Sequence, residues 1–155
     1  MSTNIFFVYG VVESIIIIST NITRMTMNST DWYKSLNQSP LTPPSWVFPI
    51  AWTFLYALIV ASGVVFLSVR TAAVHSAGFF YYCAAWVLNI SWSQIFFRFR
   101  RPGMSFVVIL GMLAFIALNI RAFYPVSRLA AWLLVPYLAW VSFAAYLNGY
   151  IVFMN

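Results

Sequence analysis

Acidic side chains are nearly missing from this chain. Among 155 residues only Glu13 and Asp31 are carboxylic acids, against eight Lys and Arg, a formal net charge of +6. No pair of carboxylates can therefore be assembled for acid–base chemistry. Charge of either sign is scarce, at 6% of residues, where soluble domains carry about a quarter. Such a composition cannot cover a water-facing surface, but a lipid-facing one needs no charge. Cys83 is the only cysteine, which excludes an intrachain disulfide; in its apolar run it reads as a small buried hydrophobe. His75 is the only histidine and falls in a loop, so a protein-built metal site is not expected. No Ser-His-Asp set or phosphate loop is present. The basic residues lie at the ends of apolar runs, where lipid headgroups would meet them, and not in a long basic helix. A nucleic-acid partner is not expected.

What is abundant is apolar: 63% of the chain is hydrophobic and 20% aromatic. A helix crossing about 30 Å of hydrocarbon needs roughly 20 mostly apolar residues. Five segments approach that length, near Ile5–Ile22, Trp46–Val69, Ala77–Phe97, Met104–Phe123 and Leu129–Phe153. They are continuously apolar and not alternating, so the expected fold is an all-α membrane protein, a single domain over residues 1–155 built as a five-helix bundle. Helices are required because lipid offers no partners to backbone N–H and C=O groups. The N-terminus lacks a basic region and an A-x-A cleavage pattern, so the first span reads as a retained helix.

The only long loop, residues 23–45, is rich in Asn, Ser, Thr and Pro; the other connections are short and imply antiparallel neighbours. Pro43-Pro44 stops the chain before the second span. Pro49 falls in the first turn of that span, where it costs little, whereas Pro136 should kink the fifth. Arg24, Lys34, Arg98, Arg100 and Arg101 fall on one side; Arg70, Arg121 and Arg128 fall on the other. The imbalance favours a cytoplasmic loop and C-terminus. Five spans without internal symmetry argue against an inverted-repeat transporter.

Aromatic rings at the span ends, Trp32, Tyr33, Trp46 and Tyr124, fit an interfacial belt. Trp52, Trp92 and Trp140 lie further in, where a dry indole N–H wants an acceptor. Helical spacing groups Phe48, Trp52, Tyr56, Ile59 and Gly63 on the second span, and Trp86, Asn89, Ser93 and Phe96 on the third. On the fifth it groups Trp132, Pro136, Trp140, Phe143 or Ala144, and Leu147. Facing one another, such stripes could line a flat apolar cavity with polar points at Asn89, Ser93 and Asn148, suited to a planar aromatic ligand. Plain packing of the bundle produces the same spacing, and spacing alone favours it.

Asn89 and Asn148 are intramembrane amides, which serve equally as interhelical ties or as ligand contacts. Glu13 is a carboxyl in mid-span and a functional candidate by default, yet without an obvious partner. Arg98, Arg100 and Arg101 read first as topology anchors; their sharper reading is pairing with ligand carboxylates. The small-residue pairs Ala57/Ala61 and Ala145/Gly149 permit close helix contact and dimerisation.

The run Trp32-Tyr33, Leu36, Thr42-Pro43-Pro44-Ser45-Trp46-Val47-Phe48-Pro49, Trp52-Thr53 and Leu55-Tyr56 resembles the TspO/translocator protein family. Its members are also called tryptophan-rich sensory proteins or peripheral-type benzodiazepine receptors. Leu88-Asn89 with Ser91-Trp92 and Phe96-Phe97 is similar to the family's third-helix block. Leu133 to Trp140, followed by Phe143-Ala144 and Leu147-Asn148, is similar to its fifth. The resemblance covers about residues 32 to 148 and is specific as a set.

It implies a five-helix bundle, often a homodimer, with a ligand pocket under the long loop. It also implies binding of porphyrins such as protoporphyrin IX and haem, held without covalent attachment, of sterols in some members, and of drug-like molecules. Carried over, the pocket residues are Tyr33, Trp52, Asn89, Trp140, Ala144 and Leu147, with Phe48 and Trp92 nearby. Some bacterial members degrade porphyrin in light, and the tryptophans implicated there match Trp52 and Trp140.

Departures point to a bacterial-type member. Gly149 stands where the animal sterol motif has tyrosine, no basic residue follows Tyr150, Met104 replaces a tryptophan, and no polar tail follows Asn155. The expected function is tetrapyrrole binding in a sensory, regulatory or transport role. The alternatives are light- and oxygen-dependent porphyrin degradation and transport of small amphipaths. The expected site is a bacterial cell membrane, with membrane lipids as neighbours; some family members are placed in outer membranes.

Overall fold

The computed structural model describes residues 30–69 and 75–155. The first expected span near Ile5–Ile22, with Glu13, and also Arg24 and Arg70, lie outside the described residues.

Among the described residues six α-helices follow one another: α1 (Thr30–Ser35), α2 (Val47–Leu67), α3 (His75–Ser93), α4 (Pro102–Phe123), α5 (Arg128–Leu133) and α6 (Val135–Met154). Among the described residues, three stretches are long and apolar enough to cross a membrane: α2, α4, and α5 with α6 together. At about 1.5 Å per residue, α2 and α4 each reach the roughly 30 Å of a hydrocarbon core. The architecture is an all-α, multi-helix membrane bundle. Two features of it were not expected. The long loop contains a helical turn, α1, and His75 opens α3 instead of lying in a loop.

Local chemistry sets the boundaries. Pro102 opens α4, where a missing N–H costs nothing. Ser127 caps α5, its hydroxyl accepting from Ala130 N at 3.3 Å. The final span breaks at Leu134 because Pro136, at the start of α6, has no N–H to continue the ladder. The break also turns the register. Ala130, Ala131 and Leu134 face inward, while Trp132 is 63% exposed and Pro136 is exposed. The expected fifth stripe therefore fails over its first half.

The C-terminal end of α3 widens into a π-turn over Gln94–Arg98, with Phe99 N donating to Gln94 O at 3.0 Å. The chain then reverses through Arg100, whose φ of 53° lies in the left-handed region, and Arg101 N donates back to Ile95 O at 3.1 Å. An L-residue there carries strain of about 1–2 kcal/mol, which the turn into α4 imposes.

α3 packs along α4, α4 along α6, and α2 against α5. Close approach is bought by small residues: a Cβ on Gly149 would sit 3.0 Å from the Phe106 ring, and one on Gly63 would sit 2.7 Å from the Tyr82 hydroxyl. The Ala145/Gly149 pair thus serves packing inside the bundle. At the far end Phe66 and Phe123 stack with centroids 3.8 Å apart. Cys83, expected to be buried, is exposed on α3, since the inward face of that helix is taken by Ala85, Asn89 and Trp92.

Candidate ligand cavity

The backbones of α2 and α3 stay apart, and long side chains bridge the gap. Tyr82 Oη donates to Ile59 O at 3.0 Å, and Tyr56 Oη donates to Asn89 Oδ1 at 3.0 Å. On one side of this bridge, between α2, α3 and α6 and under the loop bearing α1, lies a cavity of about 430 Å³. Small-molecule sites run from about 300 to 1,000 Å³.

Its wall is aromatic because α2 and α3, with the π-turn that ends α3, present rings at helical spacing. Phe48, Trp52 and Tyr56 come from α2, Trp92 from α3, and Phe96 and Phe97 from the π-turn. Trp52 stacks on Tyr56 at 5.4 Å, and Tyr56 on Trp86 at 5.5 Å. Trp92 stacks on Phe96 at 5.5 Å. α6 closes the third side with Ala144, Leu147, Asn148 and Ile151. Flat rings and small aliphatic groups leave a slot suited to a flat apolar body.

The roof is held from the loop. Trp32 and Tyr33 of α1 meet Phe96 edge-on, with centroids 5.7 and 6.0 Å away. Gln38 Nε2 donates to Tyr33 O at 2.7 Å. Asn37 reaches the end of α6, its N donating to Asn155 Oδ1 at 2.9 Å and its Nδ2 to Met154 O at 3.1 Å. Burial raises the Tyr33 phenol above its ordinary pKa of 10.0, so it lines the cavity as a neutral hydroxyl.

The two amides are spent on the protein. Asn89 accepts from Tyr56 and donates to Tyr137 Oη at 3.1 Å. Asn148 Oδ1 accepts from Trp92 Nε1 at 3.0 Å and from Ser105 Oγ at 2.9 Å, while its Nδ2 donates to Pro102 O at 2.9 Å. Both tie α3 or the α4 start to neighbouring helices. Among the described residues, the buried polar side-chain atom on the wall that lacks a hydrogen-bond partner is the Ser93 hydroxyl. It stands where α3 passes into the π-turn, a distortion that is frequent at functional sites.

Of the residues named from sequence, Tyr33, Phe48, Trp52, Asn89, Trp92, Ala144 and Leu147 line this cavity. Trp140 does not. Its ring lies behind Phe48, edge-on at 6.0 Å, and its buried indole N–H has no hydrogen-bond partner. The three arginines are not on the wall either. Arg98 lies over the Phe99 ring and Arg100 over the Trp32 ring, at 6.0 and 5.9 Å. Lys34, Gln38, Thr42, Phe97 and Ile151 line the cavity but were not singled out in the sequence. Three of them sit in the loop, where no helical period marks a face.

The fold and site together define an integral membrane protein with a ligand-sized aromatic cavity between its helices. The chain belongs to the TspO/MBR family, whose sequence profile matches residues 7–154. It is 35% identical to the tryptophan-rich sensory protein of Cereibacter sphaeroides over 120 residues, 76% of this chain and 73% of that one. It is 36% identical over 125 residues to the tryptophan-rich protein TspO of Chlorobaculum tepidum, covering 80% and 79% of the two chains. The human translocator protein matches at 37% over 121 residues, 76% and 70%. Bacterial and animal relatives match at similar identity, so the comparison establishes the family and not a bacterial branch of it. Membership supports a general sensory or transport role at a membrane.

Proposed function

We propose that the cavity binds a planar tetrapyrrole of the protoporphyrin IX or haem type, and that the protein acts in sensing, regulation or transport of such a ligand. The observation that carries this reading is the slot itself, about 430 Å³ and faced by Trp52, Trp92, Phe48 and Phe96. A tetrapyrrole is a flat apolar ring system, and stacking between aromatic faces is how such a wall gains affinity. Among the described residues the wall offers rings and no His or Cys, so the reading rests on stacking against the macrocycle.

The proposed setting is a five-span bundle, functioning as a homodimer in a bacterial cell membrane with the loop and C-terminus in the cytoplasm. Light-driven porphyrin degradation is a second reading, favoured by Trp52 at the wall as a possible electron donor. Trp140 behind Phe48 would act only across that ring.

Titrating protoporphyrin IX into detergent-purified protein while following tryptophan fluorescence tests the binding reading. Saturable quenching at micromolar ligand, with porphyrin absorbance preserved under illumination, is the expected result. Light-dependent loss of absorbance that Trp52→Phe abolishes would favour the enzyme. Absence of saturable quenching would sink both.

A further inference from the structure

We infer that the cavity selects ligands carrying a carboxylate at one end, and that the Lys34 ammonium at the rim is the group that meets it. This inference rests on the ligand-cavity reading above and specifies which amphipaths the cavity prefers.

Among the described residues, Lys34 is the one charged side chain lining the cavity. Gln38, Thr42 and Ser45 on the wall are polar and belong to the same loop, whereas the helices supply mainly rings and aliphatic groups, with Thr53, Asn89 and Asn148 bonded within the protein and the Ser93 hydroxyl the unpartnered exception. The cavity therefore has a polar, positive end and an apolar body. A ligand that fills it well has the same division, with its acid toward the loop.

Lys34 is also positioned, and among the described residues it has no ion-pair partner. α1 is pinned by the flanking Trp32 and Tyr33 against Phe96, and Tyr33 also meets Phe97 at 6.2 Å. The nearest carboxylate in sequence, Asp31, lies exposed on the same short helix, and among the described residues Lys34 makes no ion pair. Of the arginines after α3, Arg100 lies over Trp32 and Arg98 over Phe99, and neither they nor Arg101 line the cavity. An ammonium beside an apolar slot gains from an anion more than it would in open water, because part of its surroundings is of low dielectric. At a wet rim that gain stays modest, within the range of partly exposed ion pairs.

The test compares an acid with its ester in one neutral detergent. Protoporphyrin IX and its dimethyl ester, and separately pyrenebutyric acid and its methyl ester, are titrated into wild type, Lys34→Gln and Lys34→Arg. Partitioning into micelles differs between acid and ester but is common to all variants, so the acid-to-ester ratio is compared across them. Wild type and Lys34→Arg should favour the acid by roughly two- to fivefold over Lys34→Gln. The difference should shrink as salt rises. An acid-to-ester ratio in Lys34→Gln equal to that of wild type for both pairs, or no saturable binding of either pair, overturns the inference. A Lys34-dependent preference for pyrenebutyrate with no porphyrin binding would uphold it while removing the tetrapyrrole reading.

Discussion

Trp92 donates its indole N–H to Asn148 Oδ1 across 3.0 Å, and this one bond joins the aromatic wall on α3 to the wall on α6. The same oxygen accepts from Ser105 at the start of α4, so three helices meet at one amide. Removing it leaves the Trp92 indole N–H without a partner and ends two further bonds, although Ser105 Oγ still donates to the Pro102 carbonyl at 2.8 Å. Interhelical hydrogen bonds in membrane proteins average about 0.6 kcal/mol and reach roughly 1.7. Asn148→Leu should therefore cost about 1–3 kcal/mol, because several such bonds fail together. The measurement is unfolding in mixed micelles of increasing denaturing-detergent content. A midpoint unchanged from wild type would show that the amide is not the junction described.

Trp52 and Trp140 stand differently to the cavity, and this predicts different effects on ligand affinity. Trp52 is on the cavity wall, whereas Trp140 stands behind Phe48. Trp52→Ala should weaken binding of a planar aromatic ligand by roughly three- to tenfold, the worth of one aromatic contact. Trp140→Phe keeps a ring against Phe48 and removes an indole N–H that has no partner, so affinity should change less than twofold. Isothermal titration of both variants decides the matter. Equal losses would place the two rings in equivalent contact with the ligand.

Much of this arrangement could be read from the chain, and the limits have physical causes. Phe48, Trp52, Tyr56 and Ile59 share a face because α2 is an uninterrupted helix, so their spacing alone predicts the inward stripe. Trp132 breaks that logic: the Pro136 interruption at Leu134 rotates the chain, and its ring points outward. Lys34 was invisible as a cavity residue because α1 owes its position to docking of Trp32 and Tyr33 onto Phe96, a tertiary contact without sequence periodicity. Asn89 and Asn148 looked alike as ligand contacts or ties. Only their actual partners, Tyr56 and Tyr137 for one and Trp92, Ser105 and Pro102 for the other, assign them to the scaffold.

Tyr33 supplies a pH dependence of known sign. Its phenol is raised above 10.0 by burial. Between 10.0 and that higher value the folded chain holds a proton that the unfolded chain has lost, so stability falls as pH rises through this window. Below pH 10 the group contributes no slope. Binding of an uncharged ligand such as the porphyrin ester should accordingly be flat between about pH 6 and 9 with respect to this wall residue. Melting temperature against pH for wild type and Tyr33→Phe checks the sign: the wild type should lose more stability above pH 10 than the variant. An opposite order would mean that the phenolate, not the phenol, is favoured in the fold.

The roof of the cavity is fastened at a point remote from the ligand. Asn37 donates from its backbone N to Asn155 Oδ1 and from Nδ2 to Met154 O, and Asn155 Nδ2 returns a bond to Asn37 O at 3.3 Å. Ser39 and Tyr146 add a hydroxyl pair at 3.0 Å. These groups touch neither wall nor slot, yet they hold the loop bearing Tyr33 and Lys34 against α6. The Asn37 and Asn155 side chains are exposed, so each bond is worth only about 0.5–1.5 kcal/mol. Asn37→Ala keeps its backbone N but loses the Nδ2 bond to Met154, loosening the loop without altering the contacts made once ligand is bound. Association and dissociation rates should then rise together, by about two- to tenfold, while Kd moves little. Stopped-flow quenching with protoporphyrin IX measures both rates. A Kd that rises with an unchanged association rate would mean that the loop contributes contacts and not access.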